Sequence, residues 1–328
     1  MPIIVLIAVL VSGGASLVAE NALPGDALYP VKISVNEGVR GMVAVTDASQ
    51  ARWDAQRVER RLAETAELAA EGKLDSDVHA ELISQFDMHA NAFDRHVESV
   101  EADQDQQTAF ELHSEFEATL KAHERLLTNL ASQEESARAT IEAVLVEVRA
   151  RLASEARARA DSEIAIAENT EANADFKKAA EGKLNAAEHK LIEARAFLEQ
   201  KEATVNASLF ALAQGELQFA EMIIARGKTE FANENYARAF LSFQEALSSV
   251  EEAKLLIATD EKIKVKLDVL DAHLNVSEEN ETSTETEMDV SDETQPSEDS
   301  LEAQSGTDVK IDTDQTEVQQ NLRLDLEL

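Results

Sequence analysis

Apolar residues recur every three or four positions along most of the chain, and this spacing places them on one face of a helix. Three such stripes lie between residues 46 and 130. Thr46 is suited to cap the first helix, Gly72 to end it, and Asp75 or Ser76 to cap the second. The pattern therefore predicts a series of amphipathic helices joined by short turns.

The second and third stripes, in residues 76–100 and 108–130, are separated by a short polar break. Such a break favours an antiparallel hairpin. If the hairpin turns near residue 104, positions whose numbers add up to about 209 face each other.

Helical spacing continues through residues 133–152, and a stripe close to a coiled-coil seam occupies residues 176–198. Between them, residues 153–168 are rich in alanine and arginine, so we expect this part to project into solvent as a rod or connector. We interpret the stripes as core packing within one chain. Pairing with a second copy, giving a homo-oligomer through coiled-coil-like faces, is the alternative.

Residues 225–247 resemble one tetratricopeptide repeat, in which small residues let two helices approach and aromatic residues fill the gap. No second copy is evident, so we expect a single helical hairpin docked on the preceding helices. The repeat-like positions are Gly227, Asn235, Tyr236, Ala239, Phe243 and Ala246.

Charge and composition exclude several classes of function. The net charge of −35 argues against a nucleic-acid partner, which needs clustered lysine and arginine. The chain has no cysteine, so disulfides, thiolate metal sites and cysteine nucleophiles are absent. We find no glycine-rich phosphate loop, nucleophile elbow or His-Glu-x-x-His motif, and we expect neither an enzyme nor a cofactor.

The two ends of the chain differ from its middle. Residues 1–19 carry no charge and would span about 28 Å as a helix, close to the roughly 30 Å of a bilayer core. We expect a membrane anchor there; a cleaved secretory signal and a buried globular helix are the alternatives. Residues 275–328 are acidic and rich in Ser and Thr, which predicts a disordered tail.

The stretch ENALPGDALYPVK (residues 20–32), followed by ISVNEGVRG and WDAQRVERRLAETAELAAEGKLD, resembles a bacterial family, the domain of unknown function 5667. The resemblance covers about residues 15–120. It implies a membrane-anchored or exported helical protein with a signature motif just after a hydrophobic segment. The family has no established activity, so the resemblance implies location and fold class only.

The signature motif also has a physical interpretation. Pro24-Gly25 favours a type II turn, in which Gly supplies a positive φ. Tyr29 suits a membrane–water interface, where its hydroxyl would stay hydrated. We therefore expect a linker that ends the hydrophobic segment, and its motif residues are Leu23, Pro24, Gly25, Asp26, Leu28, Tyr29, Pro30 and Lys32.

Four histidines would line the predicted hairpin, with His96 facing His113 and His89 lying near His123. Imidazoles with nearby carboxylates can bind Zn²⁺ or Cu²⁺, or sense acid without a metal. Ordinary polar residues at the edge of a helix seam would show the same spacing.

The sequence thus predicts an all-α protein of antiparallel hairpins, forming a coiled-coil-like bundle with an N-terminal hydrophobic helix and a disordered C-terminal tail. We expect a helical interaction or scaffold module with protein partners in the bacterial envelope, anchored to the cytoplasmic membrane with its body outside, or secreted. The alternative is an extracytoplasmic metal- or acid-responsive protein using the histidines. The expected segments are the anchor or signal (1–19), a linker (20–45), a family-like helical domain (46–131), long coiled-coil-like helices (132–203), the repeat-like hairpin (204–274) and the acidic tail (275–328).

Overall fold

The computed structural model describes residues 19–168 and 176–282. Residues 1–18 of the predicted hydrophobic segment (1–19) and residues 283–328 of the predicted acidic tail (275–328) lie outside the described residues. Within the described ranges the chain is all-α, with no strand. No helix in this part of the chain has both the length and the apolar composition needed to cross a membrane.

The helices follow one another with short connections. The described residues up to Glu278 belong to one compact unit. A π-helical segment, Lys32–Glu37, joins the first two α-helices. The α-helices are α1 (Tyr29–Val31), α2 (Gly38–Val43), α3 (Asp47–Ala70), α4 (Ser76–Ala102), α5 (Gln106–Gln133), α6 (Arg138–Glu168), α7 (Phe176–Lys201), α8 (Ala207–Ala232) and α9 (Tyr236–Thr282).

The helix boundaries of α3 and α4 carry the caps that the sequence indicates. The side chain of Thr46 accepts a hydrogen bond from the backbone nitrogen of Ser49 at 3.2 Å. Gly72 has a φ of +67°, a left-handed conformation that glycine adopts without strain. The carboxylate of Asp75 accepts from the backbone nitrogens at the start of α4. These caps satisfy polar groups that a helix end would otherwise leave unpaired.

A three-residue turn joins α4 to α5, with Gln104 at a φ of +64°. The rings of Phe93 and Phe116 pack with their centroids 4.4 Å apart. Their numbers add up to the expected 209, so this contact agrees with the predicted register of the hairpin.

Helix α6 packs along α5 through charged side chains, so the expectation of a solvent-exposed rod was wrong. Nδ1 of His113 lies 2.8 Å from Oε2 of the buried Glu155. One helical turn further, Nε of Arg159 donates to Oε2 of Glu117 at 2.6 Å. Paired charges replace large apolar residues in this interface, and for that reason the apolar pattern fades there.

The repeat-like hairpin is present as α8 and α9, with Asn235 in the turn between them. Tyr236 begins α9 and packs its ring against Phe231. At Gly227, an added Cβ would lie only 2.5 Å from Cε1 of Phe243. The two helices therefore approach closely because position 227 has no side chain. Ala239, Phe243 and Ala246 are fully buried.

Helix α9 reaches back to the first long helix. Lys262 and Lys266 place their ammonium groups 2.6 and 3.0 Å from the carboxylate of the buried Glu67 in α3. The helix continues to Thr282, past the predicted start of the tail at residue 275.

Replacing Gly227 with alanine should destabilise the protein by about 1–3 kcal/mol, because the new methyl group collides with the Phe243 ring. The matched control is Gly215→Ala in the same helix, where an added Cβ meets nothing within 4 Å. That substitution should stabilise the protein by about 0.5–1 kcal/mol, since alanine has the higher helix propensity. Thermal unfolding followed by circular dichroism measures both effects. Equal behaviour of the two variants would contradict the close approach of the helices.

Candidate functional site

The signature motif begins with a tight turn. The backbone nitrogen of Asp26 donates to the carbonyl of Leu23 at 2.9 Å, and Gly25 has a φ of +95°. The Asp26 carboxylate in turn accepts from the backbone nitrogen of Leu23 at 2.7 Å. This is the hydrogen bond and the positive φ that a type II turn requires at Pro24-Gly25.

Tyr29 points into the protein rather than towards a membrane surface. Its side chain is 4% exposed. Its hydroxyl donates to Oε2 of Glu64 and accepts from Nη1 of Arg61, each at 2.9 Å. The expected interfacial position of Tyr29 was therefore wrong: the hydroxyl is satisfied by α3 and not by water.

Lys32 binds the other end of the motif to α3. Its ammonium lies 2.6 Å from Oε1 of Glu64 and donates to the carbonyl of Ala22 at 3.0 Å. One buried lysine thus connects both ends of the motif to α3. The linker is a docked part of the helical domain.

Arg61 is the centre of this network and has no solvent exposure. Its guanidinium pairs with Glu37 of the π-helical segment and Glu64 of its own helix, and donates to Gln85 of α4 at 2.5 Å. With Lys32, the network holds two cations and two carboxylates. Burial raises the pKa of Glu37, and the guanidinium of Arg61 opposes that effect. We use the name signature network for Tyr29, Lys32, Glu37, Arg61, Glu64 and Gln85.

A cavity of about 350 Å³ adjoins the signature network, and Glu37, Asp54, His89 and His96 are among the residues that line it. Nδ1 of His96 lies 3.3 Å from Asp47, and its Nε2 lies 3.6 Å from Asp54. His89 is buried, and this burial, with the nearby arginines of α3, lowers its pKa to about 3.

The other two candidate histidines lie apart from this cavity. His113 pairs with Glu155 of α6, and its Nε2 lies 3.8 Å from Glu101. His123 is buried, with Nδ1 3.0 Å from the carbonyl of Thr119, and burial lowers its pKa to about 4. Within the two described ranges, no group of three or more histidines and carboxylates could hold a metal ion. His89 and His96 line the same cavity, whereas His113 and His123 contact other residues.

Comparison with known proteins places the signature network in a family context. Residues 21–173 match the model of the family described as Domain of unknown function (DUF5667). The match confirms the resemblance predicted from the signature motif. It begins at residue 21, continues past the expected end at residue 120 and takes in all of α3 to α6. Searches of the curated proteins and of the solved structures found no match.

The sequence pattern located the signature motif in this matched region but did not indicate its partners in α3. Arg61 and Glu64 stand three residues apart, a spacing compatible with an ion pair on one helix. In so charged a chain that spacing recurs many times, and nothing in the pattern marks this pair as buried.

Tyr29→Phe tests the signature network. The substitution removes one hydroxyl and leaves Glu64 and Arg61 each short of a buried hydrogen bond, so we expect a loss of about 1–3 kcal/mol of stability. The control is Tyr236→Phe, the only other tyrosine. No hydrogen bond of its hydroxyl is found in the described part of the chain, and stability should change little. Urea denaturation measures both variants, and an unchanged midpoint for Tyr29→Phe would refute the network's contribution.

His89 and His123 should make the fold sensitive to acid. Their folded-state pKa values lie below the usual 6.5, so the stability that these two histidines contribute is complete above pH 6.5 and is lost as pH drops towards 4. At pH 5 each buried histidine should lower the free energy of unfolding by on the order of 2 kcal/mol.

Denaturation between pH 7.5 and 4.5 measures this slope. His89→Gln and His123→Gln should each reduce the slope relative to the unmodified protein. His189→Gln is the control, since that side chain is 73% exposed and should leave the slope unchanged. If the buried-site variants kept the full slope, other groups would be responsible for the acid sensitivity.

Proposed function

We propose that this protein is a membrane-tethered or exported protein of the bacterial envelope, and that its helical body is an interaction or scaffold module. The proposal rests first on the segment that follows the signature motif. There, large apolar side chains are exposed rather than buried, although the adjoining motif is fastened to α3 by buried ion pairs.

The exposed apolar residues of this segment are Val35, Val39, Met42, Val43 and Val45, with 48–80% of their surface accessible. We call them the valine row. Isolated exposed apolar residues are ordinary, whereas a concentration in eleven consecutive residues indicates a covered surface. The uncharged residues 1–19 lie close in sequence and supply the membrane segment of the proposal. A lipid surface beside that segment is the covering that we propose for the valine row.

A second group of exposed apolar side chains, on α8, supports the proposal of a protein partner. Leu212, Phe219 and Met222 lie on one face of α8 and are 38–58% exposed. Their spacing of seven and three residues is that of a helix seam without its partner. We propose that an envelope protein or a second copy of the chain packs there.

Binding rather than catalysis is the proposed activity, and no cofactor is part of it. The strong negative charge argues against nucleic acid as the partner. An acid response is the second candidate function, favoured by the two buried neutral histidines, His89 and His123. The metal-binding alternative has no cluster of ligands to support it in the described ranges.

The absence of cysteine allows a direct test. Single-cysteine variants Val43→Cys, Met222→Cys and Val146→Cys place a thiol in the valine row, in the α8 group and at a control site on α6. All three native side chains are more than half exposed in the chain by itself. A small membrane-impermeant maleimide applied to intact cells should modify position 146 fast and positions 43 and 222 several-fold more slowly.

Detergent should restore equal rates for the three thiols, because it removes both lipid and weakly bound partners. Protection of position 146 until lysis would place the body inside the cell and overturn the proposed location. Equal rates at all three sites in intact cells would overturn the proposed coverings.

A further inference from the structure

A cavity of about 490 Å³ lies among α3, α4, α5, α7 and α9, away from the signature network. Cavities of this size accommodate small organic ligands. Part of its wall is apolar and comes from Ala55, Phe93, Leu112, Ala186 and Leu247. An apolar ligand body would therefore find contacts from five different helices.

The polar wall of the cavity contains a carboxyl group without a partner. Glu59 of α3 is half-buried and makes no hydrogen bond or ion pair within the described residues. Glu251 lines the same cavity, and its carboxylate disfavours the charge of Glu59. Burial and Glu251 together raise the pKa of Glu59 to about 7, against a smaller opposing effect of Lys262.

Two further acceptors line the same wall. Gln244 is only 2% exposed, and its Oε1 has no hydrogen-bond partner among the residues that the structure describes. Oγ of Ser248, one turn along α9, is also buried without a partner. Buried polar atoms in folded proteins are almost always hydrogen-bonded, so an unpaired carbonyl oxygen facing a cavity indicates a missing donor.

The cations that line the cavity already have carboxylates. Arg52 donates to Glu115 at 3.0 Å, and Lys183 lies 3.1 Å from Glu111. Lys190 lies 3.8 Å from Glu251, a longer contact. The unsatisfied groups of the wall are therefore hydrogen-bond acceptors, and the cavity favours a ligand that donates.

We propose that this cavity binds a small organic amine, with the ammonium group donating to Glu59 and Gln244 and the alkyl or aryl body lying against Leu112 and Leu247. An ammonium group supplies three donors and a positive charge. It would satisfy the unpaired carbonyl of Gln244 and compensate the charge of Glu59 beside Glu251.

Binding should be linked to proton release. The ammonium favours the ionised form of Glu59, so a proton leaves that carboxyl when the amine enters. Affinity should therefore rise as pH increases through 7. The charged groups that face Glu59 across or along the cavity are Glu251 and Lys262 of α9, Glu115 of α5, Lys183 and Lys190 of α7, and Arg52 of α3 itself.

Isothermal titration calorimetry of the full chain with hexylamine tests the proposal, with hexanol and hexanoate as the matched neutral and anionic probes. We expect heat of binding for hexylamine only. At pH 7 the binding enthalpies measured in phosphate and in MOPS should differ, because the two buffers take up a released proton with different enthalpies. The difference should correspond to about half a proton released per amine bound, since the pKa of Glu59 is about 7.

Glu59→Gln should weaken hexylamine binding about 10-fold or more and abolish the proton release, because it removes the charge and keeps the shape. The variant should fold, as glutamine resembles the neutral acid that the site already favours. Glu147→Gln is the control: Glu147 is exposed on α6, outside the cavity, and its loss should leave binding unchanged. Absence of hexylamine binding to the unmodified protein, equal binding of hexanol, or full affinity in Glu59→Gln would each overturn the proposal.

Discussion

The buried guanidinium of Arg61 is the interaction on which the N-terminal half of the structure depends. A charge removed from water is tolerated only when opposite charges and hydrogen bonds surround it. Arg61 finds its carboxylates on a neighbouring segment and on its own helix, and its remaining partners on the signature motif and α4. Three separate stretches of chain must therefore come together before the cost of burying this charge is offset.

The same constraint explains why the signature motif has its particular residues. Tyr29 supplies a hydroxyl that both donates and accepts, and Lys32 supplies a second cation between Glu64 and the backbone of Ala22. A buried ionic network adds little net stability on average, whereas removing one of its partners is strongly destabilising. The motif is thereby bound to α3, and the valine row follows it directly in sequence.

Ion pairs between helices recur at several interfaces of the fold. Helices α5 and α6 meet through His113–Glu155 and Glu117–Arg159, and α9 meets α3 through lysines around Glu67. An interface in which every charge is paired holds the helices together and leaves no unpaired group for a ligand. Glu59 and Gln244 lack partners in the described part of the chain, and this contrast is what distinguishes the proposed amine cavity from the matched interfaces around it.

The sequence by itself determined the helices, their caps and the register of one hairpin, because apolar periodicity and cap residues record local structure directly. It also located the signature motif and the close approach at Gly227. Only the tertiary structure decided that Tyr29 faces inward, that residues 153–168 pack on α5, and that His113 and His123 lie apart from the cavity that His89 and His96 line. In a chain this rich in glutamate and arginine, many charge pairings satisfy the same local spacing. Which one forms depends on contacts between residues far apart in sequence, and these arise only when the helices pack.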